Sequence, residues 1–68
     1  GGGEDVAAGA KEFIHKLVQE RAEFVRQKGE AAHGPLMGPV MKEWRGKVDG
    51  EKLAQMLREE IASLLSSK

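Results

Sequence analysis

From Val6 to about Val25 the apolar side chains Ala10, Phe13, Ile14, Leu17, Val18, Ala22, Phe24 and Val25 fall on one side of a helical wheel at 100° per residue. Glu12, His15, Lys16, Gln19, Glu23, Arg26 and Gln27 take the other side. This pattern predicts an amphipathic helix, with Asp5 as its N-cap or as a favourable first-turn charge. Arg21 interrupts the apolar stripe. Either its aliphatic stem lies along the core with the head in water, or the helix bends between Glu20 and Ala22, and we favour the bend. Gly29 is the natural stop, with Arg26 and Lys28 in the last turn where cations suit the helix dipole.

After a short connection the pattern resumes with Leu36, Met37, Val40, Met41 and Trp44 on one face. Pro35 suits a first helical position, so this helix is expected to start near Pro35 or to restart at Pro39. Gly34 and Gly38, four apart, are expected to leave a groove for close approach of another helix, so that a large side chain at Gly38 would overpack. Gly46 ends the helix and Asp49 caps the next. That last helix buries Leu53, Met56, Leu57, Ile61, Leu64 and Leu65 by the 3, 4 period, and its tail from Ser66 to Lys68 should fray. No segment alternates at period two. The expected fold is all-α: a small bundle of three helices, with a fourth if the first breaks near Arg21. Residues 6–66 form the single domain, behind a flexible lead or cloning remnant at residues 1–5 that opens on three glycines.

Composition narrows what such a bundle does. At 68 residues the core is thin and stability must come from helix packing. The absence of cysteine excludes disulfides and thiolate zinc sites, and fits a reducing cytoplasm. Eleven basic and eleven acidic residues cancel, so any RNA contact has to be local. No apolar run approaches the roughly 18 residues of a membrane span.

Residues with catalytic potential are scattered. His15 and His33 lie 18 positions apart without a metal-binding helical partner, and read as surface or boundary histidines. The serines sit only at the C-terminal end, and Glu59 and Glu60 read as a solvated face. Gly34-x-x-x-Gly38 lacks the lysine and hydroxyl of a phosphate loop. Met37, Met41 and Met56 read as core filler. Trp44 has two readings: partial core burial with its indole N–H satisfied, which we favour, or stacking on a base. The one local charge signal is Lys42, Arg45, Lys47 and Lys52 around the second interhelix turn, set against Glu43, Asp49 and Glu51. An ordinary solvated turn accounts for it, and so does a weak, salt-sensitive phosphate patch.

Four spaced motifs occur in order: Lys28-Gly29-Glu30-x-Ala32; Gly34-x-Leu36-Met37-Gly38-x-Val40-Met41-Lys42; Arg45-Gly46-Lys47-x-Asp49-Gly50; and Leu53-x-x-Met56-Leu57-x-x-Glu60-Ile61. Together they resemble the tail domain shared by the GatB and GatE subunits of tRNA-dependent amidotransferases and by YqeY proteins. The likeness runs from about Phe24 to Leu64, and the Arg-Gly-Lys-x-Asp-Gly turn is more similar to the archaeal GatE form. Pro39 departs from the pattern. The resemblance implies a helical appendage, not itself an enzyme and holding no cofactor or metal. It would help a cytoplasmic parent that uses ATP and Mg²⁺ to grip the outer body of its tRNA, expected to be tRNA(Gln), while misacylated Glu-tRNA(Gln) is amidated. An appendage of a glutaminyl-tRNA synthetase and a helical protein-docking module without RNA are the alternatives. Other domains and subunits of the parent would be its further partners. For RNA contact the expected residues are Lys42, Arg45 and Lys47, then Lys52 and His33, with Gly34, Gly38 and Gly46 shaping the site.

Overall fold

The computed structural model describes the backbone of residues 2–66 and the side chains of residues 6–66. The expectations for Gly1, Ser67 and Lys68 fall outside that range. Five helical segments follow one another: α1 (Gly2–Glu20), α2 (Ala22–Lys28), a 3-10 turn (Gly29–Ala32), α3 (His33–Trp44) and α4 (Gly50–Ser66). Since α1 begins at Gly2, Asp5 lies inside it and does not precede it as an N-cap.

The break at Arg21 is present. Its backbone leaves the helical region at φ −105°, ψ 26°, and the side chain is exposed. Arg21 N–H still donates to the Leu17 carbonyl at 3.0 Å, and the Arg21 carbonyl accepts from Val25 N–H at 2.9 Å. The result is a kink that moves the charge out of the apolar stripe while keeping hydrogen bonds on both sides. Gly29 then ends α2 at φ 63°, ψ −139°, a conformation essentially restricted to glycine.

α1 and α4 lie side by side and run parallel, with His15 Nδ1–H donating to Glu60 Oε1 at 2.7 Å. Glu60 is thus not the freely solvated residue that its sequence position suggested, its side chain being only 18% exposed. With His15 well exposed, this strap contributes at most about 1 kcal/mol. α3 runs antiparallel to both, bringing Met41 to Gly50 at one end and His33 to Arg58 and Ile61 at the other. The core between them consists of Ala10, Ile14, Val18, Val25, Ala32, Leu36, Val40, Leu53, Leu57, Ile61 and Leu64, with Phe13, Leu17, Phe24, the three methionines and Trp44 packed around it. Leu65, one position beyond Leu64 and therefore about 100° away, is exposed rather than buried.

α3 differs from expectation in two respects. It begins at His33 and continues through both prolines to Trp44. Pro35 and Pro39 are both exposed and line a shallow groove with Leu17, Arg21 and Phe24. Gly34 and Gly38 are exposed too, and a Cβ at either would meet nothing within 4 Å among the described residues. No helix of the bundle approaches them, because two residues on from each lie the buried Leu36 and Val40 on the opposite side. A local reason remains: each glycine directly precedes a helical proline, whose Cδ crowds the Cβ of any other residue held in the α region.

This reverses the overpacking expectation and gives a test. Pro39→Ala should raise stability by about 2 kcal/mol, and Gly38→Ala should add about 1 kcal/mol in that background but less with Pro39 in place. Thermal melts of the two single variants and the double variant read this directly. Equal gains from Gly38→Ala in both backgrounds would remove the proline explanation.

Candidate nucleic-acid interface

The sequence Trp44-Arg45-Gly46-Lys47 forms a type II turn. Arg45 has φ −58°, ψ 130°, Gly46 has φ 82°, and Lys47 N–H donates to the Trp44 carbonyl at 2.9 Å. The positive φ at the third turn position is why glycine stands there. The turn sets Arg45 and Lys47 on the surface two residues apart, with Lys42, also exposed, one turn back on α3. The structure therefore brings together the three residues first expected to contact RNA.

Beyond the turn, the Asp49 carbonyl accepts Leu53 N–H at 3.0 Å, which puts Asp49 at the expected N-cap of α4. The unpaired N–H groups and positive dipole end of α4 thus face the same region as the cations, opposed in part by Glu51 in the first turn. Arg45, Gly46, Lys47, Val48, Asp49 and Gly50 surround an open cleft of about 360 Å³ with Met41 at its side.

Trp44 underlies this end. It is half-buried against the core, and the Phe13 ring meets it edge-on with centroids 6.0 Å apart at 63°. A Cβ at Gly9 would come within 3.1 Å of Trp44 Cη2. The close approach over glycine expected on α3 is therefore found on α1, at a residue with no distinguishing sequence signal. Burial agrees with the favoured reading of Trp44, but one part of that reading is corrected: Nε1 is buried without a hydrogen-bond partner among the described residues. Lys47 Nζ sits 5.5 Å from the centroid of the indole ring.

Lys52 and His33 line other grooves. Lys52, exposed in the first turn of α4, lines a small groove with Lys11, Gln55, Met56 and Glu59 on the α1 side. Lys11 is a cation that sequence reasoning passed over, since only the packing of α1 on α4 brings it there. His33 opens α3, roughly 18 Å along the axis from Arg45 at 1.5 Å per residue. It lines a separate cleft of about 530 Å³ with Glu30, Arg58, Ile61 and Ala62, and its Nε2 is buried without a partner among the described residues. Gly34 and Gly38 form the open outer face of α3, and of the three glycines only Gly46 belongs to the turn itself. Among the described residues no group of three His, Cys, Asp or Glu is placed to hold a metal ion. No helix among them is long and apolar enough to cross a membrane.

Fold and surface together define a small helical bundle that presents a cationic turn at one end. The chain belongs to the GatB domain family, whose model matches residues 5–61. Several archaeal proteins, each named as the E-type component of glutamyl-tRNA(Gln) amidotransferase, are similar to it. The protein of Methanosarcina barkeri is 57% identical over 54 residues, 79% of this chain and 8% of the relative. That of Archaeoglobus fulgidus is 52% identical over 54 residues, again 79% of this chain and 9% of the relative. The Methanospirillum hungatei protein is 51% identical over 55 residues, 81% of this chain and 9% of the relative. The chain thus spans less than a tenth of the length of these relatives. No solved structure matches it significantly.

Proposed function

We propose that this chain is the tail domain of an E-type glutamyl-tRNA(Gln) amidotransferase subunit, and that its Lys42, Arg45 and Lys47 end lies against the sugar-phosphate backbone of a folded tRNA. The observation that carries the RNA contact is the type II turn, which holds Arg45 and Lys47 outward at the positive end of α4 in a chain whose net charge is zero. Membership of a family with E-type amidotransferase relatives supports the parent, and the small share of those relatives that it spans supports an auxiliary part of a larger protein. Backbone contact suits the side chains available. Reading single-stranded bases needs exposed aromatic platforms, whereas Phe13, Phe24 and Trp44, the aromatic residues of the chain, all pack against the core. Amidation of the misacylated tRNA, with ATP and Mg²⁺, would belong to the rest of the parent and its partner subunits, working in the cytoplasm. The domain would add hold and orientation.

Trp44 is the sole tryptophan and adjoins the turn, so its fluorescence reports binding there. Titration with folded tRNA(Gln) at several salt concentrations should give an association constant falling with a log–log slope of roughly −2 to −3, at about −0.7 to −0.9 per phosphate contact for three contacts. A slope near zero, or no binding at low salt, would remove the proposed contact.

A further inference from the structure

We infer that Trp44 is a positioning residue for Lys47, its indole face holding the ammonium at the RNA-facing surface of the turn. This inference rests on the tRNA contact proposed above. The ring is itself fixed, packed in a T-shaped pair with Phe13 at a centroid distance of 6.0 Å and met at its Cη2 rim by Gly9, where a Cβ would come within 3.1 Å of it. The turn folds the chain back so that Lys47 N–H bonds the Trp44 carbonyl at 2.9 Å, which brings the Lys47 side chain over the ring with Nζ 5.5 Å from its centroid. This cation is therefore placed by two constraints, one in the backbone and one at the ammonium.

The unpaired indole N–H gives an independent reason to look for a role of the π face. Nε1 is buried with no partner among the described residues, which disfavours an indole compared with an apolar side chain filling the same space. What the indole provides that leucine does not, and phenylalanine provides less well, is a strongly negative ring face for a cation. An ammonium has three N–H donors. One directed at the ring leaves two for phosphate oxygens, so Lys47 can keep its contact with Trp44 while binding. Holding a flexible lysine in place beforehand reduces what binding must otherwise spend in ordering it.

The test has two parts on the 68-residue chain. By NMR, the Lys47 ε-methylene protons should be displaced upfield by the ring current relative to those of Lys42 and Lys52, and should show nuclear Overhauser contacts to the indole. The same position for all three lysines would overturn the inference without any variant. In tRNA titrations, W44L should weaken binding about 2- to 5-fold, the range that exposed cation–π pairs contribute, and W44F by less. In a K47A background W44L should change nothing further. An equal loss from W44L in both backgrounds would mean that Trp44 acts through the fold or touches RNA itself, and would sink the inference while leaving the turn as the binding site. If the unaltered chain binds no tRNA although Lys47 sits on the ring, the functional proposal fails and this positioning role fails with it.

Discussion

Alanine at Lys42, Arg45 and Lys47 together should reduce tRNA affinity by roughly 100- to 1,000-fold at 0.1 M salt, the size of the electrostatic contribution that a slope of −2 to −3 implies. Helical content should stay unchanged. All three side chains are exposed at one end of the bundle, and exposed substitutions of this kind usually move stability by less than about 0.5 kcal/mol. The substitutions also change the net charge from zero to −3, so a matched control is needed. Alanine at Lys16, Arg26 and Lys28 makes the same change in charge at exposed positions of α1 and α2. If the surface acts locally, that control should bind within a few-fold of the unaltered chain. Equal losses for both triple variants would mean that overall charge, and not the turn, governs binding.

Leu57→Ala should have the largest effect on the fold, a loss of about 2–5 kcal/mol. Leu57 is completely buried in the middle of α4, where α1 and α3 both pack. A chain of this size has a total stability of only about 3–10 kcal/mol at the usual 0.05–0.15 kcal/mol per residue. Thermal melting followed by circular dichroism should therefore show a midpoint lowered by at least about 10 °C, or no cooperative transition. Leu65→Ala, at a side chain 38% exposed on the same helix, should stay within about 0.5 kcal/mol of the parent. A small effect at Leu57 would mean that the bundle is not held by the α4 stripe.

That stripe was legible in the sequence because period alone assigns Leu53, Leu57, Ile61 and Leu64 to one face, and all four are buried. The kink at Arg21 was legible for a related reason: a single charge conflicted with an otherwise regular stripe. Gly29, Gly46 and Asp49 were readable as backbone punctuation, since two need positive φ and the third needs only a position ahead of a helix. What stayed hidden depends on how helices meet. Periodicity places Gly38 on a face of α3 but does not say whether another helix covers that face, and none does. It gave no reason to single out Gly9, whose tight approach to Trp44 exists only after α1 crosses the end of α3. Nor could the chain order separate His33 from the cationic turn, because twelve residues of helix carry it to the opposite end. Lys42, Arg45 and Lys47 were found together from sequence because they are close along the chain. Lys11 beside Lys52 was not, because their proximity is tertiary.

The most direct test of the turn as the RNA surface is an NMR titration of the isotope-labelled chain with folded tRNA(Gln) at low salt. Resonances of Lys42 through Asp49, with the first turn of α4, should shift or broaden, while those of His33, Arg58 and the exposed face carrying Glu12, Lys16, Gln19 and Glu23 should not. Perturbations centred on His33 and Arg58 or on the outer face of α1, with the turn unaffected, would contradict the assigned surface.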